Sequence, residues 1–363
     1  MKPKISVVIC ELNPLHSGHA YLFRRAKEDA ACLVAVMSGS FVQRGECAIY
    51  DKYTRAAAAV DAGADLVLEL PYPWSSGSAA FFAAAGVHIG EAVGCTHLYF
   101  GSETGDLSAL RRVAAVLDSD AFKDRFRTAG RAGVLREELL RRACPDLPPE
   151  VLRGANDILG AEYCRCLQAA VPVAVKRIDG KSASYLRQKI AEEISARGEN
   201  PTGAQLPGKL QEVLFQNLRC RPAAPEGFAE GGGGVIRRLW KAAAEATGGE
   251  EMFALAATKQ YTAARLRRAA LFGLTGTTVE MLRDLPRFTR VLAANKTGKA
   301  YLSDLRKEAL PIEILTNARD RAALSDAAAD QHAHAAAADG IFALCADPPR
   351  PAGWLAAMHP KLR

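Results

Sequence analysis

Glu11-Leu12-Asn13-Pro14-Leu15-His16-Ser17-Gly18-His19 follows an apolar run, Ile5 to Cys10, and decides how the chain is read. The run reads as a buried strand, and the spacing predicts a helix over Ser17–Asp29. The same alternation continues. Cys32–Met37 is a second strand, followed by the loop Ser38-Gly39-Ser40. Lys52–Ala62 is an alanine-rich helix, and Leu66–Leu70 a strand stopped by Pro71. Gly77–Val93 reads as a helix, and His97–Phe100 as a strand ending at Gly101. Strand and helix in this order imply an α/β fold with a parallel sheet wrapped by helices. Ligands of such sheets bind outside the carboxyl ends of the strands. The loops that matter are therefore Glu11–His19, Ser38–Glu46 and Gly101–Thr104.

Further on, Leu107–Gln168 is largely helical, Pro172–Ile178 is a strand and Ser182–Ala196 a helix. Pro201–Pro207 reads as a loop. Arg221–Gly234 is rich in Pro, Gly and Ala and reads as a flexible linker. The rest is mostly helical, with many Arg and Lys between Thr258 and Lys307. The alanine tract Ala323–Ala338 reads as a plain helix, and its His332 and His334 receive no role.

The 363 residues suggest two domains or one large domain with an appendage. Hydrophobic residues make up 49%, enough for a full core. The net charge of +7 suits a polyanion such as RNA but suits many small-molecule enzymes equally. The nine cysteines include no CxxC pair, which points to reduced thiols and away from zinc. No apolar stretch reaches the ~20 residues needed to span a bilayer. The expectation is a soluble, unexported protein.

His16 and His19 carry the sharpest chemistry. A helix N-terminus offers free N–H groups and a positive dipole end, which favour phosphate. Gly18 has no Cβ, so a phosphate or base can approach closely. Two imidazoles three positions apart face the same side. They can donate hydrogen bonds to an α-phosphate as charge builds on it. The plain alternative is a pair of histidines that merely cap a helix.

The segment resembles the HIGH-signature nucleotidyltransferase superfamily. More narrowly, the chain resembles the tRNA(Met) cytidine acetate ligase family. That family opens with E-Y-N-P-F-H-N-G-H, followed by M-S-G…Q-R-G-E, a K…R helix and D-L-V-x-E-L-P. Here stand Glu11 to His19, Met37-Ser38-Gly39, Gln43-Arg44-Gly45-Glu46, Lys52 and Arg55, Asp65 to Pro71, and Phe100-Gly101-Ser102-Glu103. Leu12, Leu15 and Ser17 depart from the family's Tyr, Phe and Asn. Asn156-Asp157-Ile158-Leu159-Gly160 resembles N-N-I-L-G, with Asp157 in place of an asparagine. Lys176-Arg177-Ile178 matches A-R-I, and Ser182-Ala183-Ser184-Tyr185-Leu186-Arg187 matches S-A-T-x-I-R after a shorter loop. Lys259-Gln260-Tyr261-Thr262 with Arg265, Arg267 and Arg268 resembles R-Y-T-x-T-R-I-Q-R. Arg290-Val291-Leu292 follows the family pattern as well.

The resemblance implies a Rossmann-like catalytic domain over residues 1–200 and a mostly helical, tRNA-binding region over 201–363. It implies that ATP and acetate give acetyl-adenylate. The acetyl group then passes to N4 of the wobble cytidine of elongator tRNA(Met). His16, His19, Lys52 and Arg187 are the implied catalytic residues. Ile9, Cys10, Glu11, Asn13, Pro14, Gly18, Gly101, Asn156, Asp157, Arg177, Ile178, Ser182 and Ser184 join the two histidines around ATP. Lys259, Arg265, Arg267, Arg268 and Arg290 are the implied tRNA contacts. Mg²⁺ is expected with ATP, and no metal site on the protein itself. The implied setting is the cytoplasm. Two other readings stay open: an adenylyltransferase for a small metabolite, and a non-catalytic RNA- or nucleotide-binding protein.

Overall fold

The computed structural model describes residues 3–131, 136–178, 182–197, 200, 203–220, 228–232 and 234–363. Its strands are β1 (Ile5–Cys10), β2 (Cys32–Ser38), β3 (Phe41–Val42), β4 (Glu46–Cys47), β5 (Leu66–Leu70), β6 (His97–Ser102), β7 (Val171–Lys176), β8 (Phe288–Ala294), β9 (Glu313–Leu315) and β10 (Lys361–Leu362). The main sheet runs β10-β8-β5-β2-β1-β6-β7, with β9 also paired to β8. From β5 to β7 every pairing is parallel. The sequences of β1, β2 and β5 are near-continuous apolar runs and every residue in them is buried. Helices cover both faces, which is what such runs require.

The chain leaves β1 first to one side, for β2 and β5, and later to the other, for β6 and β7. That reversal puts a crevice at the carboxyl ends of β1 and β6. The loop after β2 is more ordered than its composition suggests. It forms a small antiparallel hairpin, β3 with β4, in which Val42 pairs with Glu46.

The sheet draws strands from both sides of residue 200. β8 pairs antiparallel with β5 in the register Leu66 to Ala294, interrupted by a bulge after Val67. The last third, read as mostly helical, thus contributes strands as well. The helices Pro207–Cys220, Val235–Glu245, Gly249–Ala256 and Ala263–Thr275 pack on one another as a cluster. Much of the expected linker Arg221–Gly234 and the first residues of the loop Pro201–Pro207 lie outside the described residues. None of the nine cysteines is in a disulfide. Among the described residues no helix is long and apolar enough to cross a membrane.

From Asp326 on the alanine tract lies in the helix Asp326–Leu344, while Ala323 ends the preceding 3₁₀ helix Ala318–Ala323; the polar residues of the long helix hold it in place. Asp339 Oδ2 accepts from Lys52 Nζ at 2.7 Å, and Glu69 Oε1 accepts from the same ammonium at 2.7 Å. Lys52 is 2% exposed. Burial pulls its pKa down, but Asp339 and Glu69 outweigh burial and hold the ammonium above its ordinary value. His332 meets Arg290 at 2.8 Å, and His334 meets Thr277 at 2.8 Å. One buried ion cluster thus ties the last long helix to β5 and to the start of the helix Lys52–Asp61.

Removing one member of a buried ion pair leaves its partners charged and uncompensated. Lys52→Met is expected to lower stability by about 3–5 kcal/mol in urea unfolding. An unchanged midpoint together with lost phosphate chemistry would return Lys52 to the reaction itself.

Candidate active site

The crevice at the switch point is a cleft of about 340 Å³, in the range of small-molecule sites. The ends of β1 and β6 form its floor through Ile9, Cys10 and Gly101. The loop to His16 and the opening of the helix Ser17–Lys27 form one wall. The hairpin tip, Gln43 and Arg44, and the start of the helix Ala183–Arg197 form the others.

His16 is the N-cap of the helix Ser17–Lys27. Its Nδ1 accepts from the Gly18 N–H at 3.1 Å. The His19 Nδ1 accepts from the His16 N–H at 3.3 Å. Each ring thus spends Nδ1 as an acceptor, so a neutral imidazole must carry its proton on Nε2. The rings stack with centroids 3.9 Å apart and planes inclined by 28°. Gly18 leaves room for this arrangement, since a Cβ there would stand 3.0 Å from His16 Cε1 and press on the ring. The Gly18 N–H is engaged in this cap, while the absence of a Cβ still leaves its backbone open to close approach. Each imidazole keeps its Nε2–H as a donor for an anion.

Both rings are held neutral. Burial lowers the pKa of His16, and Arg177 adds to it. For His19 burial comes first, then His16 and Arg177, and the value falls to about 3. A neutral Nε2–H donor is present at pH 7 without any change of protonation.

Around this pair the loops are pinned by buried groups. Leu12 adopts a left-handed backbone, φ 49°, an arrangement that costs energy outside glycine and recurs at functional sites. Asn13 is buried, and its Oδ1 accepts from the Ile49 N–H at 2.7 Å. Arg187 donates to the Asn13 carbonyl at 2.6 Å and to Ser184 Oγ at 3.2 Å. Glu11 Oε1 accepts from the Gln43 N–H at 2.8 Å. Burial raises the Glu11 pKa against that hydrogen bond and the nearby arginines.

A family model described as HIGH Nucleotidyl Transferase matches residues 3–198 and 206–351. A tRNA(Met) cytidine acetate ligase of Acetivibrio thermocellus is 31% identical over 357 residues, covering 84% of this chain and 86% of that protein. The chain belongs to the tRNA(Met) cytidine acetate ligase family of HIGH nucleotidyl transferases. A ligase of the same name from Anoxybacillus flavithermus is 30% identical, with 86% of this chain and 88% of that protein covered. The crystal structure of Thermotoga maritima TmcAL bound with alpha-thio ATP matches with a TM-score of 0.88 at 25% identity, over 99% of each chain.

Most residues that the family motifs singled out meet in the cleft. Ile9, Cys10, Glu11, Asn13, His16, Gly18, His19, Gly101, Asn156, Arg177, Ile178, Ser182, Ser184 and Arg187 all line it. Pro14 is buried and does not. Asp157 is also placed elsewhere. It is fully buried, and its carboxylate accepts from the N–H groups of Glu103 and Thr104 at 3.1 and 3.2 Å and from both the Ser102 and Thr104 hydroxyls. Every partner is a donor, so an acceptor-only carboxylate suits the place. Asn156 reaches the cleft instead, its amide oriented by Glu103 Oε1 at 2.6 Å.

Lys52 lies outside the cleft, in the buried ion cluster. The basic residues of the last third divide. Lys259 is exposed. Arg265 lies 5.5 Å from the Tyr261 ring and 3.7 Å from Glu230. Arg267 pairs with Glu46 at 2.8 Å, and Arg268 with Glu230 at 3.2 Å. Arg290 is half-buried against Glu69 and His332. Arg267 and Arg268 also donate to the carbonyls of Arg44 and Gln43, both at 3.4 Å. They clamp the hairpin tip. Gly45, at φ 70°, makes room for this, since a Cβ would stand 2.6 Å from the Arg268 nitrogen. Sequence reasoning gave no role to Arg44 or to the apolar lining from Phe82, Phe100 and Tyr163. Arg44 stood in a quoted motif, but its place at the cleft mouth needed the hairpin.

Two outcomes are expected. The His19 ring should keep the NMR signature of a neutral Nε2–H tautomer from pH 8 down to pH 5, and a titration midpoint above 6 would contradict the half-buried stacked pair. His19→Ala should lower adenylate formation by about 10²-fold or more with the fold retained, measured by ATP–pyrophosphate exchange.

Proposed function

We propose that this chain is an ATP-dependent acetate ligase that forms acetyl-AMP and acetylates N4 of the wobble cytidine of elongator tRNA(Met). The stacked, neutral pair His16 and His19 at the switch-point cleft carries this reading. Both Nε2–H groups are preorganised to meet the α-phosphate. A donor fixed before the reaction needs no reorganisation as charge builds in the transition state. An acetate oxygen attacks the α-phosphorus, the bond to the bridging oxygen breaks and pyrophosphate leaves. Ser182, Ser184 and Arg187 hold the departing phosphates at the opening of their helix, and Arg177 and Arg44 add positive charge at the mouth. The N4 amine then attacks the acetyl carbonyl, AMP departs and the amine loses a proton. Holding the reactants in line supplies much of the rate, and no covalent enzyme intermediate is needed.

Mg²⁺ would travel with the nucleotide. Among the described residues no three His, Cys, Asp or Glu side chains gather to hold a metal. The phosphates themselves would supply its ligands. The tRNA would lie on the helical region within residues 201–363, while residues 1–200 supply the cleft. The exposed Lys259 would contact the RNA, as would the exposed Arg237 and Lys241 on the helix Val235–Glu245. Arg267, Arg268 and Arg290 serve the architecture. The setting is the cytoplasm, where ATP and tRNA are found.

Elongator tRNA(Met) incubated with the protein, ATP, Mg²⁺ and labelled acetate should acquire labelled N4-acetylcytidine, read by mass spectrometry. Pyrophosphate exchange driven only by another metabolite would favour the small-molecule adenylyltransferase. Absence of any ATP turnover would favour the non-catalytic binder. Lys259→Glu should weaken tRNA binding while acetate-dependent exchange stays intact.

A further inference from the structure

The hairpin that walls the cleft touches the last long helix through two thiols. Cys47 stands directly opposite Phe41 across the β3–β4 pair, so both side chains leave the hairpin on one face. The Phe41 ring meets the edge of Phe342, with centroids 6.3 Å apart and planes at 85°. Cys345 follows Phe342 by three positions, at the C-cap of the helix Asp326–Leu344, hence on the same side of that helix. The contact that this packing requires is made: the Cys47 and Cys345 thiols hydrogen-bond to each other. Two features set the pair apart from ordinary buried cysteines. The first is the state of the sulfurs. Burial and then the bond to Cys345 push Cys47 well up, so it keeps its proton and donates it. That hydrogen bond, against burial and helped by Lys209, holds Cys345 below its ordinary value. Lys209 Nζ is fixed there by the Ala346 carbonyl at 3.1 Å and Asp347 Oδ1 at 2.8 Å. Loss of one proton thus leaves a thiolate beside a thiol, a reactive sulfur next to one that can resolve it. The second feature is access. Cys345 is 1% exposed, but Cys47 is half-buried and lines a cavity of about 30 Å³ between β4 and the helices Ala183–Arg197 and Pro207–Cys220. One water needs about 10–15 Å³ on this scale, so the cavity admits a molecule of two oxygens, the size of hydrogen peroxide.

We propose that Cys47 and Cys345 close a reversible disulfide when hydrogen peroxide reaches them, and that the closed bond shifts the hairpin and weakens nucleotide binding. The thiolate of the pair attacks one peroxide oxygen, the O–O bond breaks, and the departing hydroxide takes up a proton to become water. The second sulfur then attacks the sulfenic acid so formed. The S–S bond forms, the S–O bond breaks, and hydroxide leaves with the thiol proton as a second water. Two thiols are oxidised and one peroxide is reduced. A disulfide holds its sulfurs about 2.0 Å apart, closer than hydrogen-bonded thiols stand, so β4 is drawn toward the long helix. Glu46, the neighbour of Cys47 in β4, lines the cleft and pairs with Arg267 at 2.8 Å. Movement of Cys47 therefore reaches both the cleft wall and the clamp on the hairpin tip. The inference goes beyond the ligase reading and needs only a nucleotide in the cleft.

The test uses the full chain carrying Cys220→Ser, which removes an exposed thiol and with it crosslinks between molecules. After treatment with hydrogen peroxide, peptide mass spectrometry without reductant should find the Cys47 and Cys345 peptides joined, two hydrogens lighter than their sum. ATP affinity, measured by calorimetry, should fall by about tenfold or more and return with dithiothreitol. Cys47→Ser and, separately, Cys345→Ser should bind ATP as the parent does and keep that affinity through peroxide. Each variant removes the pair, so one that folds is enough. Recovery of both cysteines unjoined would overturn the disulfide. A joined pair with unchanged ATP affinity would overturn the regulation, and so would a loss of affinity that the serine variants share.

Discussion

One buried guanidinium holds the two loops on which the cleft depends. Arg55 donates to the carbonyls of Glu11 at 2.7 Å, Ser38 at 2.9 Å and Tyr50 at 2.9 Å, and also to the carbonyl of Gly39. Those of Glu11, Ser38 and Gly39 lie at or just beyond the carboxyl ends of β1 and β2, where a parallel sheet leaves acceptors without strand partners. A planar fork of fixed donors suits such a ring of carbonyls better than a flexible ammonium. Burial lowers the Arg55 pKa to about 10, so the group stays charged at any physiological pH. From this point Glu11 reaches the hairpin, Asn13 reaches Ile49, and His16 is set at the helix opening.

The readable part of the fold was the part governed by local pattern. β1, β2 and β5 are apolar runs bounded by turn residues, and each was placed to within a residue or two. The Lys-and-Arg helix was found at Lys52, but the purpose of its charges was not. Both side chains point inward, and one partner of Lys52, Asp339, comes from the far end of the chain. Sequence distance hides such pairs. β8 was missed for a related reason. Phe288–Ala294 has only a short apolar run among basic neighbours, and its strand state depends on the edge of β5, about 220 residues earlier.

The basic last third shows that charge counted along a sequence need not be free charge. Arg267, Arg268 and Arg290 look like RNA contacts when counted as charges. Each faces a carboxylate inside the fold. Composition cannot tell a solvated cation from one that staples two elements together. The HxGH segment was legible because its function depends on neighbours in sequence: the cap, the stacked rings and the glycine all lie within four residues. The departures at Leu12 and Leu15 fall on packing positions, since Leu12 is fully buried and Leu15 packs against the main core. The cleft-lining His16, Gly18 and His19 remain in place.

The pairing of β8 with β5 has a consequence for how the molecule could be divided. A fragment ending near residue 200 would keep the cleft floor and both histidines. It would also leave the β5 edge bare, a row of unpaired N–H and C=O groups flanked by Leu, Val and Leu. Such an edge is a template for sticking to other chains. The hairpin tip would lose Arg267 and Arg268 as well. The nucleotide half is therefore not an independent module to which an RNA-binding tail was appended, and neither half could be exchanged among relatives without its counterpart.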